Sequence, residues 1–217
     1  GTLNRDGRVM LGVSLLMVLM ALNGVISQWM GFALLSILGV FTLLLYRGAR
    51  HESDVNETAA SVDENLLEGG LPMAVLFLTA GLAGVLWGSD LMVDGAVGLA
   101  QQAGISQAVI ALSIVAIGTS LPELFISLFA SLRGQTGLAI GNIIGSNISN
   151  ILLILGVVAS LGPLNISPEI GNRDVWVMLG VAILGLVLMR SARRMSRMEG
   201  LFSLFLYALY VSYLYLA

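Results

Sequence analysis

The chain has 217 residues, 57% hydrophobic and 11% charged, with a mean hydropathy of +0.94. A soluble domain carries about 25% charged residues, so this composition excludes one and implies an all-α integral membrane protein. The net charge of −3 says little because most of it sits in one loop, no nucleic-acid partner is expected, and the absence of cysteine removes disulfides and thiolate metal chemistry.

Seven segments are long enough to span a bilayer, which requires about 20 apolar residues. Spans 8–27 and 30–47 come first. Residues 48–70, GARHESDVNETAASVDENLLEGG, hold six acids and read as an acidic, flexible cytoplasmic linker, with His51 solvated at its start. The linker lacks the spaced Asp/Asn/Gly/Glu loop of an EF-hand, which argues against a regulatory calcium site there. Spans 71–96, 106–132, 136–160, 174–190 and 199–216 follow. As one helix, 106–132 would be about 40 Å long against a hydrocarbon core of ~30 Å, which leaves room for a tilt or a break. Arg190, Arg193, Arg194 and Arg197 read as a topology anchor, with contact to anionic membrane lipid as the second reading. Tyr207, Tyr210, Tyr213 and Tyr215 read as packing and belt residues, and the ten methionines as core filler.

A repeat organises these spans. NRDGRVMLGV at 4–13 matches NRDVWVMLGV at 172–181 in eight of ten positions, an offset of 168. Each copy leads into a similar helix pair, 8–47 and 174–216, but the three spans within 71–160 have no counterpart before residue 4. The expected organisation is therefore 1–47 as the last two helices of a first half, 48–70 as linker, and 71–217 as a complete five-helix second half. The chain reads as the C-terminal part of a ten-helix, inverted-repeat (5+5) protein whose partner is a missing N-terminal half. Threading seven spans with the start inside places nine of the ten arginines in the cytoplasm and only Arg173 outside. Arg5 and its repeat partner Arg173 then face opposite sides, as inverted halves require. Trp29, Trp87 and Trp176 fall toward the outer boundary, as an aromatic belt would.

The chemistry concentrates in 114–157, IVAIGTSLPELFISLFASLRGQTGLAIGNIIGSNISNILLILGV, where two apolar helices carry polar residues at their middles. Glu123 falls near the centre of the first, and Ser146 and Asn150 near the centre of the second. A carboxylate there costs at least ~2.5 kcal/mol on insertion scales, so it needs a partner or a passenger. Pro122 has no N–H and crowds the carbonyl of Gly118, which interrupts the helix where Thr119, Ser120 and Glu123 supply oxygens. Thr119 and Glu123 share a face at i and i+4, as do Ser146 and Asn150. Oxygen-only ligands suit hard cations such as Ca²⁺ or Na⁺. The passenger is read as a metal cation, for which protons compete as pH falls.

Simpler readings stand beside this one. Pro122 alone is an ordinary kink, and Gly137, Gly141 and Gly145 alone are a packing stripe that lets another backbone approach. Glu123 could be a hydrogen-bonded structural carboxylate, and Asn147 a site residue or an interhelical bond. Asp90 and Asp94, at i and i+4, are either an ion entry funnel or structural partners and caps, the second being favoured.

GTSLPE at 118–123, GNIIGSNISN at 141–150 and the lead-in GSDLMVDGAVGLA at 88–100 together resemble the second alpha repeat of the sodium/calcium exchanger family, within the calcium/cation antiporter superfamily. The resemblance covers about a third of the chain. It implies that Thr119, Ser120, Glu123, Ser146 and Asn150 line ion sites completed by the first alpha repeat. It also implies secondary active antiport of Ca²⁺ against Na⁺ or H⁺ in a bacterial-type inner membrane, with no enzyme activity and no cofactor. Helix 71–96 and its twin would move against a fixed bundle. Some members carry Asp where this chain has Asn150, which bears on the counter-ion. A non-transporting membrane partner subunit is the alternative from another class.

Overall fold

The computed structural model describes residues 2–53, 70–105, 110–192 and 196–216. Helix α1 (Thr2–Ala21) ends where Asn23 Nδ2 donates to the Leu19 carbonyl at 3.2 Å and Gly24 turns the chain at φ 72°. A positive φ is cheap only without a Cβ, so the first helix stops six residues short of the expected 27. A two-residue strand β1 (Val25–Ile26) follows, then α2 (Gln28–Ser53), which continues as helix into the start of the expected linker. Residues 54–69 of that linker lie outside the described residues.

Helix α3 (Gly70–Gln102) has 33 residues. At 1.5 Å per residue it is about 50 Å long, well beyond the ~30 Å hydrocarbon core, so it must tilt or protrude. A π segment (Ala111–Val115) leads into the short α4 (Ala116–Thr119) and, after a break, α5 (Leu121–Leu132). Next come α6 (Thr136–Ser149), a π segment (Asn150–Leu155) and α7 (Gly156–Leu161). Strand β2 (Leu164–Asn165) pairs antiparallel with β1, Val25 facing Asn165 and Ile26 facing Leu164. A third π segment (Ile170–Asp174), α8 (Val175–Ala192) and α9 (Arg197–Leu216) complete the order.

Among the described residues, four stretches are long and apolar enough to cross a membrane: Gln28–Gly48, Val75–Gln102, Thr136–Leu161 and Ile170–Met189. The bent pair Ser113–Thr119 and Leu121–Leu132 makes a fifth if counted as one span. The other two of the seven expected spans correspond to α1, which opens on Arg5, Asp6 and Arg8, and α9, which carries four tyrosines. Large apolar side chains are exposed throughout, among them Trp29 at 81%, Phe77 at 71% and Leu132 at 73%. Water would not tolerate such a surface; a hydrocarbon solvent would. The chain is an integral membrane protein.

The helices fall into two compact units interleaved in sequence, Gly1–Glu57 with Ala130–Met195, and Thr58–Phe129 with Ser196–Ala217. The first has a core of Met10, Val13, Leu34, Ile144, Ile148, Leu152, Ala159 and Leu186 drawn from α1, α2, α6, the π segment Asn150–Leu155, α7 and α8. Helices α1 and α8, which carry the two copies of the ten-residue repeat, pack antiparallel. Gly7 lies under Leu186, while Val18 clusters with Val175. The offset of 168 maps Gly7 onto Val175 and Leu186 onto Val18, so the contacts interchange under the repeat. Each copy also makes the same neighbouring ion pair: Arg5 Nε donates to Asp6 Oδ1 at 2.9 Å and Arg173 Nε to Asp174 Oδ1 at 2.6 Å.

The tightest backbone-to-backbone approach in this unit is where α2 crosses α7. A Cβ placed on Gly31 would lie 2.7 Å from the Ala159 carbonyl carbon and 2.9 Å from the Gly156 oxygen, and one on Gly156 would press on Leu34 and Leu35 at 3.2 Å. The stripe expected to do this, Gly137, Gly141 and Gly145, has nothing within 4 Å of its would-be Cβ positions. Spacing of small residues marks where a helix could approach, and the crossing itself is made elsewhere.

In the second unit α3 packs on the Ala111–Thr119 stretch, with Ser89 and Ala100 buried on its inner face and the Ser89 hydroxyl satisfied by the Val85 carbonyl at 2.8 Å. Helix α9 begins with a reciprocal cap that sequence reading passed over: Ser196 N–H donates to Glu199 Oε2 at 2.7 Å, and Glu199 N–H donates to Ser196 Oγ at 3.3 Å. The Ser-x-x-Glu spacing was its signal. Ser196→Ala is expected to cost about 1 kcal/mol locally and to speed amide exchange in the first turn of α9 roughly fivefold. Unchanged exchange there would show that the cap does not hold that turn.

Candidate cation site

The helix break predicted from Pro122 is present. The axis bends by 51° between Ser113–Thr119 and Leu121–Leu132. Ser120 sits at the break with φ −94° and ψ 1°, and the cap N–H groups close on the Ile117 and Gly118 carbonyls. Two causes act in series. Pro122 brings no N–H to the turn behind it, and the π segment Ala111–Val115 loosens the helix just before it. Nothing in the sequence pattern announced that π segment.

Three of the predicted ligands cluster at this break in the second unit. Thr119 and Ser120 are exposed at the end of α4, and Glu123 stands half-buried in the first turn of α5. The start of a helix presents unsatisfied N–H groups and the positive end of its dipole, which offsets part of the cost of a carboxylate in the membrane. One carboxylate oxygen, Oε2, is shielded from solvent. The Thr119 hydroxyl donates its proton to the Ala116 carbonyl at 3.2 Å, leaving its oxygen lone pairs to accept a cation.

Ser146 and Asn150 belong to the first unit, one turn apart where α6 passes into the π segment Asn150–Leu155. Ser146 is half-buried and Asn150 exposed. The Ser146 hydroxyl donates to the Ile143 carbonyl at 3.1 Å, the same arrangement as at Thr119, so its lone pairs too are left to accept. Asn147 gives its Nδ2 to the same Ile143 carbonyl at 2.8 Å, so its amide N–H serves its own helix, an alternative to the two roles expected for it. Asp90 and Asp94 are both exposed on α3.

Among the described residues there is no group of three or more His, Cys, Asp or Glu able to hold a metal. The donors at the break are instead a carboxylate and hydroxyls, hard oxygens of the kind that bind Ca²⁺ or Na⁺ at modest charge density. Between α3 and α5 the bend opens a wedge of about 820 Å³ lined by Phe77, Met92, Pro122, Phe125 and Phe129. Its apolar walls make it no place for an ion.

The family profile described as sodium/calcium exchanger protein matches residues 73–216. The putative antiporter CaxA of Alkalimonas amylolytica is 48% identical over 131 residues, 58% of this chain and 41% of that protein. The sodium/calcium exchanger MaX1 of Methanosarcina acetivorans is 45% identical over 109 residues, 50% of this chain and 31% of that protein. The matched stretch thus spans less than half the length of either relative. A solved structure of the sodium-calcium exchanger NCX_Mj, soaked with 2.5 mM Na⁺ and 1 mM Sr²⁺, is similar with a TM-score of 0.74 at 29% identity, covering 98% of this chain and 66% of that one.

Proposed function

This chain belongs to the sodium/calcium exchanger family, and from that premise we propose that it forms part of a secondary active antiporter that exchanges Ca²⁺ for Na⁺ across a bacterial-type inner membrane. The cation ligands are Glu123, Thr119 and Ser120 from the broken helix together with Ser146 from α6 and Asn150 from the π segment that follows it. Ca²⁺ takes 6 to 8 oxygens, and these five side chains provide one carboxylate, three hydroxyls and one amide. The first alpha repeat of an N-terminal half completes the shell. The Na⁺ gradient supplies the energy, and coupling requires that an empty or wrongly loaded site does not switch sides.

The observation that carries this reading is the 51° break at Ser120, with Glu123 in the first turn of the helix that follows and Thr119 and Ser120 just before it. The proposed architecture is the seven-span, 5+5 one, with 48–70 as a cytoplasmic linker between 1–47 and 71–217. The antiparallel pairing of α1 with α8, whose contacts interchange at the repeat offset, supports inversion.

Asn150, neutral where some family members have Asp, favours Ca²⁺/H⁺ exchange as a second reading. Proteoliposomes carrying the full-length protein separate the two. Under the Na⁺ reading, Ca²⁺ uptake stops when the Na⁺ gradient is collapsed and a pH gradient is kept. Uptake that continues transfers the assignment to H⁺, and no Ca²⁺ movement under either gradient leaves only a non-transporting subunit.

A further inference from the structure

Gly118 is buried, and a Cβ built on it would collide with Cγ2 of Val93 and stand 3.3 Å from the Val93 Cβ. The isopropyl group of Val93 therefore occupies the space that any other residue would claim at position 118. Gly118 precedes Thr119 directly and lies two residues before the break at Ser120. The contact is lateral: α3 reaches the end of α4 through the face that also buries Ser89 and Ala100. Elsewhere on α3, Gly81, Gly84, Gly88, Gly95 and Gly98 have nothing within 4 Å of their would-be Cβ positions. Among the described glycines of this unit, close approach occurs at the residue that abuts the proposed ligands.

We infer that Val93 is a positioning residue for cation transport: seated on Gly118, it fixes where the end of α4 lies and hence where the Thr119 oxygen and the start of α5 with Glu123 are held. The inference rests on the antiporter reading above. The turn it supports is one the chain itself weakens. Pro122 removes a hydrogen bond and the π segment loosens the preceding turn, so lateral packing is what remains to define its position. Misplacing a reacting or binding group by ~1 Å can cost ~100-fold, which makes a methyl-sized change at this contact consequential.

The test uses full-length protein in proteoliposomes, with Ca²⁺ uptake measured across external Ca²⁺ concentrations and the amount of folded protein measured alongside. Gly118→Ala should raise the KM for Ca²⁺ about tenfold or more, and Val93→Ala about threefold, with the maximal rate per folded molecule little changed. In the double variant the alanine Cβ at 118 takes part of the space that Val93 vacates, so its KM should return to within about threefold of the wild type. A KM that stays put while folded yield falls, or a double variant no better than Gly118→Ala, would overturn the inference and leave the exchanger reading intact. A wild type without Ca²⁺ uptake would overturn both.

Discussion

Glu123→Gln is expected to lower Ca²⁺ uptake by the full-length protein about 100-fold or more while leaving its expression intact and raising its stability. Glutamine keeps the length, one oxygen and most of the hydrogen-bonding capacity, so the variant removes little besides the charge. Two unit charges 4 Å apart attract by ~4 kcal/mol at an effective dielectric of ~20, and the cation carries two charges. With about 1.4 kcal/mol per decade of affinity, two decades is a conservative loss. The same change is favourable for folding, because an uncharged side chain is cheaper to insert than a carboxylate. Activity and stability should therefore move in opposite directions, a combination that a structural carboxylate would not produce. Uptake of radioactive Ca²⁺ beside a thermal-stability measurement in detergent checks both halves. Uptake within a fewfold of wild type, together with a lowered melting temperature, would assign Glu123 to the structure.

Gly31→Val is expected to destabilise the protein by about 3 kcal/mol or more, with most of the variant failing to reach a folded, monodisperse state. The atoms a side chain would meet at this position are backbone: the Ala159 carbonyl carbon at 2.7 Å and the Gly156 oxygen at 2.9 Å, with the Ser160 nitrogen nearer still. Backbone inside two packed helices cannot rotate away as a leucine tip could, so α2 and α7 must separate. Such separation strips dispersion contacts from Leu34 and Leu152, both buried at 0% exposure. In a membrane those contacts are most of what holds helices together, since lipid tails compete with no hydrophobic penalty. Gly39, on the same helix with nothing within 4 Å of its would-be Cβ, is the control. Gly39→Val should be close to neutral, and equal behaviour of the two variants would mean that the α2/α7 crossing does not set stability.

Much of this protein was readable from residue type and local spacing. Composition alone decided the solvent, because backbone groups in hydrocarbon must be satisfied within helices and apolar surface need not be hidden. The break at Ser120 was readable because proline's missing N–H is a property of one residue and the turn behind it. The repeat was readable as letters, and the family as GTSLPE and GNIIGSNISN. Local rules also misplaced helix ends: α1 stops at Ala21 through an Asn-Gly terminator, and α2 runs on to Ser53 through polar residues that composition assigned to a linker.

Which glycines matter was decided only by the tertiary structure. Gly137, Gly141 and Gly145 have the regular spacing and face open space, whereas Gly7, Gly31, Gly118, Gly156 and Gly171 share no such spacing and carry the close approaches. A glycine's spacing is local, but what crosses it comes from a segment tens or more than a hundred residues away. The π segments at Ala111–Val115 and Asn150–Leu155 belong to the same class, since the extra residue in a turn is tolerated by packing around it and no composition rule encodes it. The sequence by itself therefore determined the solvent, the helical class and the chemical types of the candidate ligands. Tertiary packing alone decided where helices touch and how the turns that carry those ligands are held.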